Sequence, residues 1–156
     1  MIAGSEIVTQ RGEITGLFLQ NEIVSRDFYE VVEEIKRQNG IVVVPHPFDR
    51  LRKSTFTPTT MDIKFIDCVE VYNSRCVLQK YNNEALSFAI QHGLKMVAGS
   101  DAHFRNEIGN AGIEVSESCE DLKKIILSGK ARVFGRKSSL LDHVFTKTIK
   151  WLRKQK

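Results

Sequence analysis

Cysteine, histidine and long apolar runs are all scarce in this chain. Its 156 residues hold three cysteines, Cys68, Cys76 and Cys119, and none has the spacing of a disulfide framework or a zinc finger, which points to a reducing cytoplasm. No apolar stretch approaches the ~20 residues needed to cross a bilayer. The opening Met1-Ile2-Ala3-Gly4-Ser5-Glu6 lacks the basic start and apolar core of a secretory leader. The expectation is a cytoplasmic protein with no membrane partner. Internal repeats and low-complexity segments are also missing. The histidines number four, so each can be weighed by name: His46, His92, His103 and His143.

What is present suits one globular domain over residues 1–156. Hydrophobic residues make up 42% and charged residues 27%, enough apolar material for a core at this length. The net charge of +4 is uneven. From Gly129 onward nine Lys or Arg face one Asp, a local +8 that leaves −4 on the rest. A basic tail of this kind attracts nucleic acid or an anionic surface. Without interleaved aromatics it reads first as a solvated helix face, and nucleic-acid binding ranks last among the readings.

Strand and helix signals alternate. Residues 2–8 and 13–19 are strand-like and are joined by a turn at Gln10-Arg11-Gly12. Ser25 is a candidate cap for a helix over Arg26–Asn39, whose Phe28, Val31, Val32 and Ile35 share one face. Ile41-Val42-Val43-Val44 is a β-branched run of the kind covered on both faces, and it stops at Pro45-His46-Pro47. A strand over 66–72 ends at Asn73. Asn82 or Asn83 caps a helix through His92, and a strand over 95–98 delivers Asp101 and His103. Short strands at 111–115 and 131–134 bracket a helix capped by Ser118 near Cys119–Ser128. A basic final helix spans 138–155, with Leu141, Val144, Phe145, Ile149 and Leu152 as an apolar stripe. This alternation predicts parallel strands with right-handed crossovers.

Metal-type ligands gather at predicted strand ends. Asp101 and His103, two residues apart, leave an extended chain on the same side. Glu6 and His46 also lie at the ends of predicted strands, and in α/β folds such ends face one way and build the site. Carboxylate and imidazole together suit zinc, manganese or iron. Other polar residues have plainer readings. Glu70 is a buried ion-pair partner or an edge residue, Asn73 a ligand-orienting or a turn residue, His92 a partner of its helix C-terminus, and His143 an exposed residue on a basic helix.

Five segments, Gly4-Ser5-Glu6, residues 44–52 (VPHPFDRLR), residues 69–75 (VEVYNSR), Ala98-Gly99-Ser100-Asp101-Ala102-His103 and Glu107-Ile108-Gly109, resemble the PHP (polymerase and histidinol phosphatase) family in order and spacing. They are similar in particular to its small stand-alone metal-dependent phosphoesterases. The resemblance implies a distorted seven-stranded, TIM-like β/α barrel with up to three divalent metals at the strand C-termini. Here that would be a partial barrel missing its first strands. Glu6 matches the family's bridging Glu, His46 the His of its His-Pro motif, and Asp101 and His103 its terminal Asp-x-His motif, the last two also the catalytic candidates. Glu13 stands where many members have another His, as a substitute ligand. Arg50, Arg75 and Asn73 are candidates for a substrate phosphate, with ion pairs the alternative for the two arginines.

The chain lacks the family's opening His-x-His and its following Asp-His motif, since no histidine precedes Glu6. Only the metal position of Glu6, His46 and Glu13 is then nearly complete. The resemblance implies metal-dependent hydrolysis of a small phosphorylated substrate. The competing expectation is a non-catalytic remnant that binds metal weakly or acts through a partner. An open barrel edge favours self-association or a covering partner chain.

Overall fold

The computed structural model describes residues 2–115 and 121–153. The first hairpin is β1 (Gly4–Thr9) and β2 (Gly12–Leu17), followed by helix α1 (Phe28–Arg37) and strand β3 (Ile41–Val44). Then come β4 (Cys68–Asn73), α2 (Gln79–His92), β5 (Lys95–Gly99), β6 (Ala111–Glu114), α3 (Leu122–Ser128), β7 (Arg132–Gly135) and α4 (Leu140–Arg153). One sheet has the order β1-β2-β3-β4-β5, and β6 and β7 form a separate antiparallel hairpin.

The sheet is mixed, which corrects the expectation of uniformly parallel strands. Only β3, β4 and β5 run parallel; β1/β2 and β2/β3 are antiparallel. The Gln10-Arg11 turn is far too short for a crossover, and Gly12 closes it at φ 122°, a conformation that suits glycine. Between β2 and β3, extended chain first doubles back. The Gln10 N–H donates to the Arg26 carbonyl (3.1 Å), so α1 starts at the β1–β2 turn and returns to the end where β2 stopped. There Leu17 pairs with Ile41. The expected partial barrel is also replaced. Among the described residues the sheet is open, with β1 and β5 at its edges.

Side-chain alternation splits the two faces. Ile7, Ile14, Val42, Val44, Val69 and Val71 pack against Phe28, Val31, Val32 and Ile35 of α1 and Ala85 and Ala89 of α2. Ile41, Val43 and Cys68 face the other way, with Ile126 of α3. β3 is buried at every position, as its β-branched run predicts. Because Ile7 pairs with Ile14, and Val8 with Glu13, the carboxylates of Glu6 and Glu13 share the second face. α3 does not cover that end, so Val8 is 50% exposed.

Several helix starts differ from expectation. Asp27, not Ser25, caps α1, accepting the Tyr29 and Glu30 N–H groups, while the Ser25 hydroxyl accepts the Asp27 N–H (3.1 Å). α2 begins a turn before Asn82, which is buried and grips the Asn73 backbone through both ends of its carboxamide. The expected Ser118 cap and Cys119 lie outside the described residues, as do the last two positions of the 138–155 helix; α3 is capped by Asp121. The apolar stripe of α4 faces outward, with Leu141 67% exposed. The inward face of α4 is polar, because it lies over charged groups. Asp142 accepts from Asn106 (3.0 Å), and Thr146 accepts from Arg75 (3.0 Å). His143, expected exposed, is half-buried on this side.

Candidate metal centre

His46 follows the sheet's central strand and sits between Pro45 and Pro47 at φ 30°. That is left-handed backbone, which a non-glycine residue adopts only when its surroundings enforce it. Phe48 (φ 66°) and Asp101 (φ 49°) share this feature, as do Phe18 (φ 62°) after β2 and Asn39 (φ 56°) after α1, so three of the five such residues lie where β3 and β5 end. The imidazole is buried, and neither ring nitrogen forms a hydrogen bond among the described residues. Its Nε2 lies 3.3 Å from Glu13 Oε2 and 3.7 Å from Glu6 Oε2. One ligand atom from each of Glu6, Glu13 and His46 falls within 4.8 Å of the others.

Topology accounts for this meeting. Glu6 lies in the middle of β1, not at its C-terminal end as expected. Antiparallel pairing brings the start of β2, with Glu13, to the end of β3, with His46. A one-residue slip of the β1/β2 register would send Glu13 to the opposite face. A buried imidazole without hydrogen bonds costs free energy. A divalent ion would satisfy it, and one imidazole with two carboxylates is a donor set for zinc, manganese or iron. The residues therefore fit a metal.

Glu70 supports His46 from beneath. It accepts the His46 backbone N–H (2.6 Å) and the Asn73 side-chain amide (3.0 Å). Burial pushes its pKa up to about 7. Burial alone would lower the His46 pKa, but the Glu6 and Glu70 carboxylates outweigh it and the net direction is up. Buried Cys68 and Cys76 have thiols pushed up to about 12, chiefly by burial, so neither is a thiolate nucleophile near neutral pH.

Asp101 and His103 form a separate pair. His103 Nδ1 lies 3.7 Å from Asp101 Oδ1, and they join no metal-type group of three among the described residues. Asp101 is taken by a residue that sequence reasoning passed over. Arg52 Nη2 donates to Asp101 Oδ2 (2.6 Å) and Asn73 Oδ1 (3.3 Å), and its Nε donates to Asp49 Oδ2 (3.1 Å). Arg52 sits three residues after Asp49 in the loop that carries His46, and that spacing was its one signal in the sequence. A cleft of about 250 Å³ opens beside it, lined in part by His103 and His143.

The other candidates fall in different places. Asn73 is buried and ties the halves together, bonding Glu70 on one side and reaching Asp101 (3.5 Å) on the other. Arg75 is buried and paired with Glu107, which also accepts the His103 N–H (2.8 Å). Arg50 is exposed and pairs with Glu84 (3.6 Å), in a groove with Asn83 and Phe88.

Residues 79–131, the stretch that carries Asp101 and His103, match the model of the PHP-associated family (PHP_C). Glu6, Glu13 and His46 lie before this matching stretch. Two uncharacterized proteins of Methanocaldococcus jannaschii are similar. One is 40% identical over 122 residues, 74% of this chain and 52% of its own length. The other is 37% identical over 94 residues, 58% and 53% respectively. The chain thus spans about half the length of these curated relatives. In structure it resembles a two-domain protein containing a predicted PHP-like metal-dependent phosphoesterase from Bacteroides vulgatus. That likeness has a TM-score of 0.68 at 20% identity and covers 86% of this chain and 44% of that one. It also resembles PsfC from Pseudomonas syringae, with a TM-score of 0.62 at 12% identity, covering 94% and 65%. Both likenesses are of fold. No described helix is long and apolar enough to cross a membrane.

Proposed function

We propose that the chain forms the metal-holding part of a PHP-type phosphoesterase centre, with Glu6, Glu13 and His46 as the ligands of one divalent ion. The observation that carries this reading is the buried His46 ring, without a hydrogen bond at either nitrogen, beside two carboxylates. A divalent ion in this position supplies Lewis acidity, lowering the pKa of water and offsetting negative charge on a phosphoryl oxygen. The chain's own part is to hold the ligands still. The two prolines fix the path around His46, Glu70 grips its backbone N–H, and Asn73 links that carboxylate to the Asp101 side. The substrate class is a small phosphate ester in the cytoplasm, and the open β1 edge is where a second copy or a partner chain would pair.

A second reading is a centre that binds metal without turnover. The observation favouring it is that Asp101 is engaged by Arg52 (2.6 Å). Metal content of the purified protein, measured beside hydrolysis of an aryl phosphate with added manganese, separates the two. Metal and turnover both lost in His46→Ala and Glu13→Gln support hydrolysis. Metal without turnover supports the second reading, and no metal at all sinks both.

A further inference from the structure

Three oxygen acceptors from the ends of three parallel strands converge on one guanidinium. Asp49 lies in the loop after β3, Asn73 ends β4, and Asp101 follows β5; their oxygens stand 3.1, 3.3 and 2.6 Å from Arg52 nitrogens. Two carboxylates and a carboxamide form a cage that suits a hard cation. Here the cation belongs to the chain. The Arg52 side chain is 24% exposed, and those of Asp49 and Asp101 are 3% and 20% exposed. Expelling it would leave mostly buried charges unpaired. An incoming ion therefore meets an Asp101 whose best-placed oxygen is already used. The ion pairs of Glu6 and Glu13 among the described residues involve His46 and no Lys or Arg.

We infer that Arg52 is a built-in cation filling the Asp49–Asn73–Asp101 cage, so that the protein takes one divalent ion, at Glu6–Glu13–His46, and Asp101 does not hold it. The inference rests on the proposed metal reading and deepens it. It makes Arg52 a charge substitute for a second ion and predicts that its removal exposes an oxygen-rich site for manganese or magnesium.

The test is Mn2+ binding by equilibrium dialysis with elemental analysis, on the full chain and three variants whose folding is checked by circular dichroism. Wild type is expected to bind one ion. Asp101→Asn is expected to bind one with its dissociation constant within about threefold of wild type. Arg52→Ala is expected to bind two, and Arg52→Ala/His46→Ala one. Wild type binding no ion overturns the metal reading and this inference together. Wild type binding two, or a tenfold or larger weakening in Asp101→Asn, overturns the inference and leaves the metal reading standing. A folded Arg52→Ala that still binds one overturns the cage. Should Arg52→Ala fail to fold, wild type and Asp101→Asn still decide whether one ion binds and whether Asp101 holds it, and either adverse result overturns the inference.

Discussion

Replacing Arg75 with methionine separates a structural ion pair from a substrate contact. Arg75 is 5% exposed and Glu107 0%. The Glu107 carboxylate also accepts the backbone N–H groups of His103 (2.8 Å) and Phe104 (3.1 Å). Removing the guanidinium leaves a buried carboxylate without its counter-charge, a change that costs about 3–5 kcal/mol. That is a large share of a typical domain stability of about 5–15 kcal/mol. At this chain length it corresponds to a fall in Tm of about 6–20 °C. Thr146 also loses the hydrogen bond it receives from Arg75. The assay is urea unfolding of wild type, Arg75→Met, Glu107→Gln and the double variant. The double variant should recover about 1–3 kcal/mol relative to Arg75→Met, because a carboxamide keeps the backbone contacts without the charge. Burial tends to raise the Glu107 pKa, but the His103 N–H and Arg75 more than offset it, and the folded-state value lies below the ordinary one. The stability this brings is present above the ordinary carboxylate range and is lost as pH falls through the lowered value. The gap between wild type and Arg75→Met should therefore be widest at neutral pH and close below about pH 4. A loss under 1 kcal/mol at pH 7 would refute the reasoning and return Arg75 to the phosphate-binding candidates.

Gly99→Ala should disturb the centre from a distance. A Cβ at Gly99 would run into Glu70 Oε1, displacing the carboxylate that holds the His46 N–H. About 1–3 kcal/mol of stability and a measurable part of the Mn2+ affinity should go; wild-type values in both titrations would contradict this. Asp62 accepts from Thr59 N (2.8 Å) and Thr59 Oγ1 (2.8 Å) and pairs with Arg11 (2.8 Å). Burial works against ionisation there, but these partners hold its pKa below the usual carboxylate value. Asp62→Asn should cost about 1–3 kcal/mol at pH 7, with the difference fading as pH falls below about 4; a difference independent of pH in thermal melts would count against the ion pair. Phe28 is fully buried against Phe56 at a ring distance of 5.0 Å, so Phe28→Ala should lose about 3–5 kcal/mol in chemical denaturation.

Local patterning made much of the fold legible. The i, i+3, i+4, i+7 spacing of Phe28, Val31, Val32 and Ile35 depends only on helical periodicity, and all four are buried on α1. The Ile41–Val44 run depends on β-branching and becomes the sheet's central strand. Glu6, Glu13 and His46, named together through resemblance and spacing, lie together in space. Helix starts were less legible, because Ser25 and Asp27 compete within one turn, and α2 starts ahead of Asn82 with no side-chain cap.

The sequence by itself determined which segments become strands and helices and which side chains can ligate a metal, since both follow from side-chain chemistry and from periods of 3.6 and 2. Strand direction, register and the pairing of charges were decided by tertiary structure. The chain doubling back through Arg26 made β2 antiparallel and carried Glu13 to His46. The crowding of the β3, β4 and β5 ends placed Arg52, unmarked in the sequence, against Asp101. Contacts between residues 49 positions apart have no local signature, because they depend on which strand ends become neighbours.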